Sequence, residues 1–168
     1  MPKVELEPAL TPGHRTTIEN LFQLYVHDFT DFWIERRVEL QEDGRFPPYP
    51  WLETYWSDPS RAAYLIRADG QLAGFVLINA FSHSGLPSDH DIAEFFVARH
   101  YRREGVGRAA ALAAIQARPG QWELAVARKN TGAQAFWRGI ASAAAPQIDE
   151  LDLDDDRWNG LILRFVVA

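Results

Sequence analysis

The sequence predicts a mixed α/β (α+β) domain, a mixed sheet with helices packed against it. Three observations lead there. Short apolar runs of strand character alternate with stretches whose apolar residues recur at helical spacing. Two of the runs flank an Asp-Gly pair, the signature of an antiparallel hairpin. The chain has 168 residues, 47 % of them apolar and 24 % charged, which is the make-up of one folded domain of ordinary size with a real core. No internal repeat, low-complexity tract or composition break divides it, so a single domain over 1–168 is expected.

The elements follow in order. "VELEPAL" reads as a short first strand. "TTIENLFQLYVHDF" carries Ile18, Leu21, Phe22, Tyr25 and Phe29 at helical spacing, and Thr16 with Glu19 forms a capping-box pair that places the helix start at Thr16. Residues 30–60, rich in proline and aromatics, read as an irregular loop with a short helical piece near Leu52–Trp56. "AAYLIRA" and "QLAGFVLINAF" are the hairpin strands around Asp69-Gly70. "HDIAEFFVA" is apolar on both faces, as a central strand is. A helix is expected from about Gly105 to Arg118, stopped by Pro119-Gly120, and "QWELAVA" is the next strand. Asn130 or Thr131 can cap a helix through "GAQAFWRGIASA". "QIDELDL" and "RWNGLILRFVVA" close the chain as two strands joined by an acidic turn.

Charge and composition exclude several functions. With 17 basic and 23 acidic side chains the net charge is −6, which argues against a nucleic-acid binder that must meet phosphates with a basic stripe. Without cysteine there is no disulfide, thiolate nucleophile or thiolate-bound zinc, in keeping with a reducing cytoplasm. "MPKVELEPAL" lacks a signal-type apolar run, and no segment approaches the roughly 20 apolar residues of a membrane span. The five histidines show no metal-ligand spacing, so no metal site is expected.

The stretch "FFVARHYRREGVGRAAALAAI" carries the chemistry. Strand residues give way to arginines, two glycines and an alanine-rich helix. A helix N-terminus leaves amides unpaired and bears partial positive charge, so it suits an anion, and glycines let the backbone approach a ligand without a Cβ. Arg102, Arg103 and Arg108 surround that point with charge suited to phosphate oxygens. The residues alone leave open a phosphate cradle or an ordinary solvated loop. A Walker-type loop is excluded because Arg108-Ala109 stands where Lys-Ser or Lys-Thr is needed. Gly105, Gly107 and Ala110 match the dinucleotide glycine pattern, but "RHYRRE" separates it from the strand and too little chain remains for a doubly wound sheet.

"FFVARHYRREGVGRAAA" resembles the acetyl-CoA loop of the GCN5-related N-acetyltransferase (GNAT) superfamily, whose pattern is Arg or Gln, two residues, Gly, one residue, then Gly or Ala. Arg102, Gly105 and Gly107 meet it, and the order of elements extends the resemblance along most of the chain. It implies a mostly antiparallel sheet of about six or seven strands with helices on both faces and a splayed central pair. It implies acetyl-CoA as cosubstrate, its pantetheine arm near Phe96 and Val97 and its pyrophosphate on the amides of Arg103, Glu104, Gly105, Val106, Gly107 and Arg108. Asn130, Ala133, Phe136 and Trp137 would line the other side, although ordinary helix packing explains Phe136 and Trp137 equally. The implied activity is acetyl transfer to a primary amine of a small molecule or peptide, by a cytoplasmic protein that acts alone or as a homodimer. A CoA-binding module without catalysis and a dinucleotide-dependent oxidoreductase are the alternatives.

An amine must lose a proton to attack a thioester, so a base is required. Glu94, an acid in an apolar strand, is the candidate: burial without a partner is costly and raises a carboxyl pKa. Regular alternation puts Ile92, Glu94, Phe96 and Ala98 on one face. Glu94 could instead pair with an arginine or face a wet cleft, and His90 and Asp91 are weaker alternatives. Phe136 and Trp137 stand where the family often has a tyrosine acid. The rings of Phe46, Tyr49, Trp51, Tyr55 and Trp56 could form an acceptor wall or pack their own loop.

Overall fold

The structure is a computed structural model and describes residues 1–32 and 38–168. Strand β1 (Val4–Pro8) leads into helix α1 (Pro12–Phe29). The helix begins a turn before the expected Thr16 cap, because Thr11-Pro12 is the better start. Thr11 is extended and its hydroxyl accepts from the His14 amide at 3.1 Å, while Pro12 sits in the first turn, where its missing N–H costs nothing. Thr16 instead donates its hydroxyl to the Pro12 carbonyl. The chain before α2 (Thr54–Ser57) is irregular where it is described; the part of that expected loop at 33–37 lies outside the described residues.

Strands β2 (Ala62–Ala68) and β3 (Gln71–Asn79) form the hairpin, with positive φ at both Asp69 (49°) and Gly70 (78°), as a twist-matched two-residue turn requires. Then come β4 (His90–Val97), a single 3₁₀ turn (Arg99–Tyr101), α3 (Val106–Gln116), β5 (Gly120–Ala127), α4 (Thr131–Ala144), β6 (Asp149–Asp154) and β7 (Asn159–Val167). All seven strands form one sheet in the order β1-β2-β3-β4-β5-β7-β6. Its pairs are antiparallel except β4 with β5.

That parallel pair shapes the molecule. Among the described residues its ladder holds only His90 against Trp122 and Asp91 against Glu123; beyond them the strands diverge and open a V in the sheet. Helices cover both faces. Ala111, Ala114 and Ile115 of α3 and Ile140 and Ala141 of α4 pack with Trp122, Leu124 and Leu163 on one side. Ile18, Phe22 and Tyr25 of α1 pack with Leu65, Phe75 and Leu77 on the other. Each face thus buries a full apolar layer, the main source of stability in such a sheet.

The expected alternation along β4 holds only in part. Leu77 pairs with Glu94 while Ile78 pairs with Ile92, so Ala93 is an extra residue and the strand bulges there. Ile92 therefore packs on the α3/α4 face, whereas Ala93, Phe96 and Ala98 pack on the α1 face, towards which Glu94 also points.

Candidate active site

The open V and the elements around it enclose a cleft of about 980 Å³. Its two ends differ in charge. The cations on its wall are Arg102, Arg103 and Arg108, all at the loop before α3 or in that helix's first turn. The acids deeper in are Asp91 and Glu94 on β4, with Asp28 of α1 at the edge.

At the basic end, Gly105 caps α3 in the left-handed region (φ 82°) and provides no side-chain hydrogen bond, so the first amides of the helix are left for a ligand. Arg103 is also left-handed (φ 65°), so the chain turns sharply twice just before α3. Arg103 and Arg108 line the cleft and have no carboxylate partner among the described residues. This end fits a phosphate-bearing group.

Arg102 departs from the expected free phosphate ligand. Its Nε donates to the Val97 carbonyl at 2.7 Å, its terminal nitrogen pairs with Asp28, and its guanidinium lies 5.6 Å from the Phe96 ring centroid. It braces the end of β4 against α1. Glu104 is exposed and off the cleft wall, and the Val106 side chain is fully buried beside Ala110, so either could contribute only through its amide. The glycines also divide their work. A Cβ on Gly105 would lie 2.7 Å from Met1 Sδ rather than in the cradle, whereas one on Gly107 would lie 3.6 Å from Val97 and 3.7 Å from Phe136, inside the cleft.

Across the V, Asn130 accepts from the Ala133 amide at 3.2 Å as the cap of α4, which presents Ala133, Phe136 and Trp137 to the cleft. The two aromatic rings meet edge to face and both reach Phe95. They have the packing role and a place on the wall at once.

Glu94 sits between the two ends. It is half-buried and accepts a short hydrogen bond from the Tyr25 hydroxyl. Burial drives its carboxyl up to about 7, with the hydroxyls of Tyr25 and Tyr49 holding it back in part. The Tyr25 hydroxyl is itself pushed well above its ordinary value by burial and by the Glu94 charge, so it stays a donor. Asp91 is 1 % exposed and lines the cleft floor where the strands part. Burial, then the charges of Glu123 and Glu94, raise its carboxyl well above the usual range. His90 turns away, with its ring nitrogen 3.2 Å from the Pro119 carbonyl and its ring against Trp122.

Of the two roles open to the rings at 46–56, packing is the one most of them take, while Tyr49 also reaches Glu94. Phe46 and Tyr55 are buried, Tyr49 stacks on Phe22, the Trp56 indole donates to the Ala9 carbonyl, and Trp51 faces solvent. Besides the rings of β4 and α4, the cleft is lined by Tyr25, Phe29 and Phe32 of the first helix and the following turn, and by Trp158 before β7. His83, edge to face with Trp158, joins them, its pKa depressed by burial. The loop bearing His83 is held by Glu123, which accepts from the amides of His83 (2.6 Å) and Ser84 (3.0 Å) and pairs with Arg164. Tyr25 was visible in the sequence as part of a helical apolar stripe, but its hydroxyl had no visible partner there. His83 lies in an unpatterned loop, and Trp158 stands at the head of the last expected strand, where nothing in the sequence marks it as facing the cleft. Among the described residues no group of three or more acidic, His or Cys side chains could hold a metal, and no helix is long and apolar enough to cross a membrane.

The profile of the Acetyltransferase (GNAT) family matches residues 18–140. Among solved structures, an acetyltransferase from Thermus thermophilus superposes with a TM-score of 0.66 at 19 % identity, covering 98 % of this chain and 97 % of its own. A GNAT-family acetyltransferase from Staphylococcus aureus gives 0.63 at 13 % identity, over 99 % and 100 % of the two chains. The PaiA N-acetyltransferase of Thermoplasma acidophilum, solved in complex with coenzyme A, gives 0.61 at 13 % identity, over 98 % and 99 %. No curated protein sequence matches the chain.

Proposed function

The chain belongs to the GNAT acetyltransferase family, and from that premise we propose that it transfers the acetyl group of acetyl-CoA to a primary amine of a small molecule or peptide, with Glu94 as the base. The observation that carries this reading is the polarity of the cleft: a phosphate-suited helix N-terminus at one end, the buried Asp91 carboxyl at the other, and Glu94 between them with a carboxyl near 7. The family uses acetyl-CoA, which brings a thioester already activated for attack.

The residues take up the remaining tasks. The amides of Arg103 to Arg108, with the Arg103 and Arg108 side chains, hold the pyrophosphate. The edges of β4 and β5 that face each other beyond Asp91 and Glu123 have no ladder partner among the described residues, so their amides and carbonyls are available to the pantetheine arm near Phe96 and Val97. The Val97 carbonyl already accepts from Arg102 and keeps a second lone pair for a ligand donor. Glu94 takes the proton from the incoming ammonium, a task for which a carboxyl near 7 is matched to neutral pH. Tyr25 and Tyr49 steady that carboxylate. The rings of Tyr25, Phe29 and Trp158 exclude water and favour a cation on its way in.

A CoA-binding module without turnover is the second reading. It is favoured by one feature, the absence of a tyrosine on the cleft face of α4, where Phe136 and Trp137 offer no acidic proton. The dinucleotide reading loses its support, since the sheet is largely antiparallel and not doubly wound. The test is thermal shift with acetyl-CoA, CoA and NAD, followed by thiol release from acetyl-CoA over an amine panel. Acetyl-CoA should stabilise the protein and NAD should not, and at least one amine should release thiol. A larger shift with NAD refutes the proposal; a CoA shift with no thiol release from any amine selects the second reading.

A further inference from the structure

The polar row that crosses the sheet beneath the cleft leaves one member without a role. Asn79, Asp91, Glu123 and Arg164 are direct neighbours on successive strands, so their side chains share the α1 face. Three of them are fully engaged. Asn79 donates to the Tyr55 hydroxyl and accepts from the Phe81 amide. Glu123 accepts from His83, Ser82, Ser84 and Arg164. Arg164 also donates to the Pro87 carbonyl. Asp91 has no hydrogen-bond partner for Oδ1 among the described residues, although it is 1 % exposed and lies on the cleft wall. An orphaned buried carboxyl is costly, and it persists where something else completes it.

The surroundings define what completes it. The cations around the row are committed, Arg164 to Glu123, Arg157 to Asp155, and Arg61, over the Tyr55 ring, to Asp58. The cations on the cleft wall lie at the other end, and His83 beside Trp158 is held neutral by burial. An anion entering this end meets acids; a cation meets Asp91, Glu94 and aromatic faces. Asp91 and Glu94 are three residues apart on a bulged strand, so their Cα atoms are separated by roughly 9 Å. Two positive nitrogens on a short aliphatic spacer can each meet one carboxylate across that span.

Resting on the transferase reading, we infer that Asp91 is a specificity residue that binds a second ammonium group of the acceptor, so the preferred substrate is an aliphatic diamine or polyamine rather than a monoamine or an amino acid. Glu94 receives the nitrogen that is acetylated and Asp91 anchors the one that is not. The charges of Glu123 and Glu94, which oppose ionisation of Asp91 in the empty cleft, are offset when that ammonium arrives.

The experiment compares n-butylamine, diaminobutane and aminobutyrate as acceptors at saturating acetyl-CoA, and measures their binding to the CoA complex by calorimetry. A charge-assisted hydrogen bond makes diaminobutane about 10- to 100-fold better than butylamine in kcat/KM and in affinity, and aminobutyrate the poorest. In Asp91→Asn the diamine-over-monoamine ratio collapses towards one, carried by KM more than kcat. A wild-type ratio at or below one overturns the inference whether or not the variant folds. So does a variant that loses both amines equally, which is the mark of a structural role. Thiol release with a flat ratio sinks this inference and keeps the transferase. Asp91-dependent diamine binding without thiol release does the opposite.

Discussion

Replacing Glu94 by glutamine separates a catalytic carboxylate from a structural one, because the two roles move stability in opposite directions. Burial lifts the carboxyl from 4.5 to about 7. The folded state therefore holds a proton that the unfolded state has released between about pH 4.5 and pH 7, so this group's contribution to stability falls as pH rises through that window. At pH 8 the ionised carboxylate is a folding penalty of at most about 3 kcal/mol. Glutamine carries no charge and escapes it, but it is a weaker acceptor for Tyr25 and Tyr49, which returns about 1 kcal/mol for each weakened bond. Glu94→Gln should then be about 1 kcal/mol more stable than wild type at pH 8, a rise in Tm of about 2–4 °C, with no gain at pH 5. Turnover should fall by about 10²–10⁴-fold while CoA affinity stays near wild type. Wild-type kcat/KM should climb with pH through an inflection near 7 that the variant lacks. Calorimetric melting at both pH values and thiol release across pH supply the readouts. Turnover within tenfold of wild type, or lost together with stability at pH 8, refutes Glu94 as the base.

Tyr25→Phe removes a hydrogen bond that favours the Glu94 carboxylate, so the inflection in kcat/KM should move to higher pH; an unmoved or lower inflection contradicts the coupling. Gly107→Val drives side-chain carbons between Val97 and Phe136 and should weaken CoA binding at least tenfold by calorimetry, whereas Gly107→Ala, with Cβ contacts of 3.6–3.7 Å, should be tolerated. Gly105→Val is the poorer probe, since at φ 82° a branched residue strains the backbone by about 1–2 kcal/mol whatever it does to the ligand. Glu123→Gln leaves Arg164 buried without its counter-charge and should cost about 3–5 kcal/mol in urea unfolding, with the His83 loop released; a loss under 1 kcal/mol removes the pair from the structural argument.

Local chemistry explains which parts of the fold could be read from the sequence. The Asp69-Gly70 hairpin, the Asn130 cap and the Pro119-Gly120 stop each rest on residues within a few positions of one another, and each was legible. The start of α1 was misread because two local signals competed, and the Thr11 hydroxyl with Pro12 outweighed Thr16 with Glu19. The splay of β4 from β5 has no local signature at all; it came from family resemblance, and the structure has it. The acceptor end is the least legible part. His83, Tyr25 and Trp158 come from three distant segments of the cleft wall, and Glu123, fully buried on β5, holds the loop at 82–84 that sets His83 against Trp158. The aromatics at 46–56 satisfied the same compositional expectation, but Trp51 faces solvent and Tyr49, Tyr55 and Trp56 pack their loop against α1 and the inner strands of the sheet.

The bulge at Ala93 shows why period-two reasoning failed where function is expected. In an unbroken strand, Glu94 and Phe96 would share a face with Ile92 and leave Asp91 on the other. The extra residue resets the count, so Asp91 and Glu94, three apart, come to the same face. Both carboxyls then open onto the cleft on the α1 side, where Tyr25 reaches one and no described residue bonds Oδ1 of the other. Bulges recur beside active sites because they re-aim side chains without breaking the sheet. Here β3 still pairs on both sides of the irregularity, so the sheet keeps its strength while β4 carries two acids into one cavity. A buried carboxyl without a partner and a break in strand register would each be a flaw in a purely structural strand. Three residues apart and facing the same cleft, they are one arrangement: without Ala93 the ladder would run unbroken and the two acids, then two positions apart, would still share this face but sit closer together.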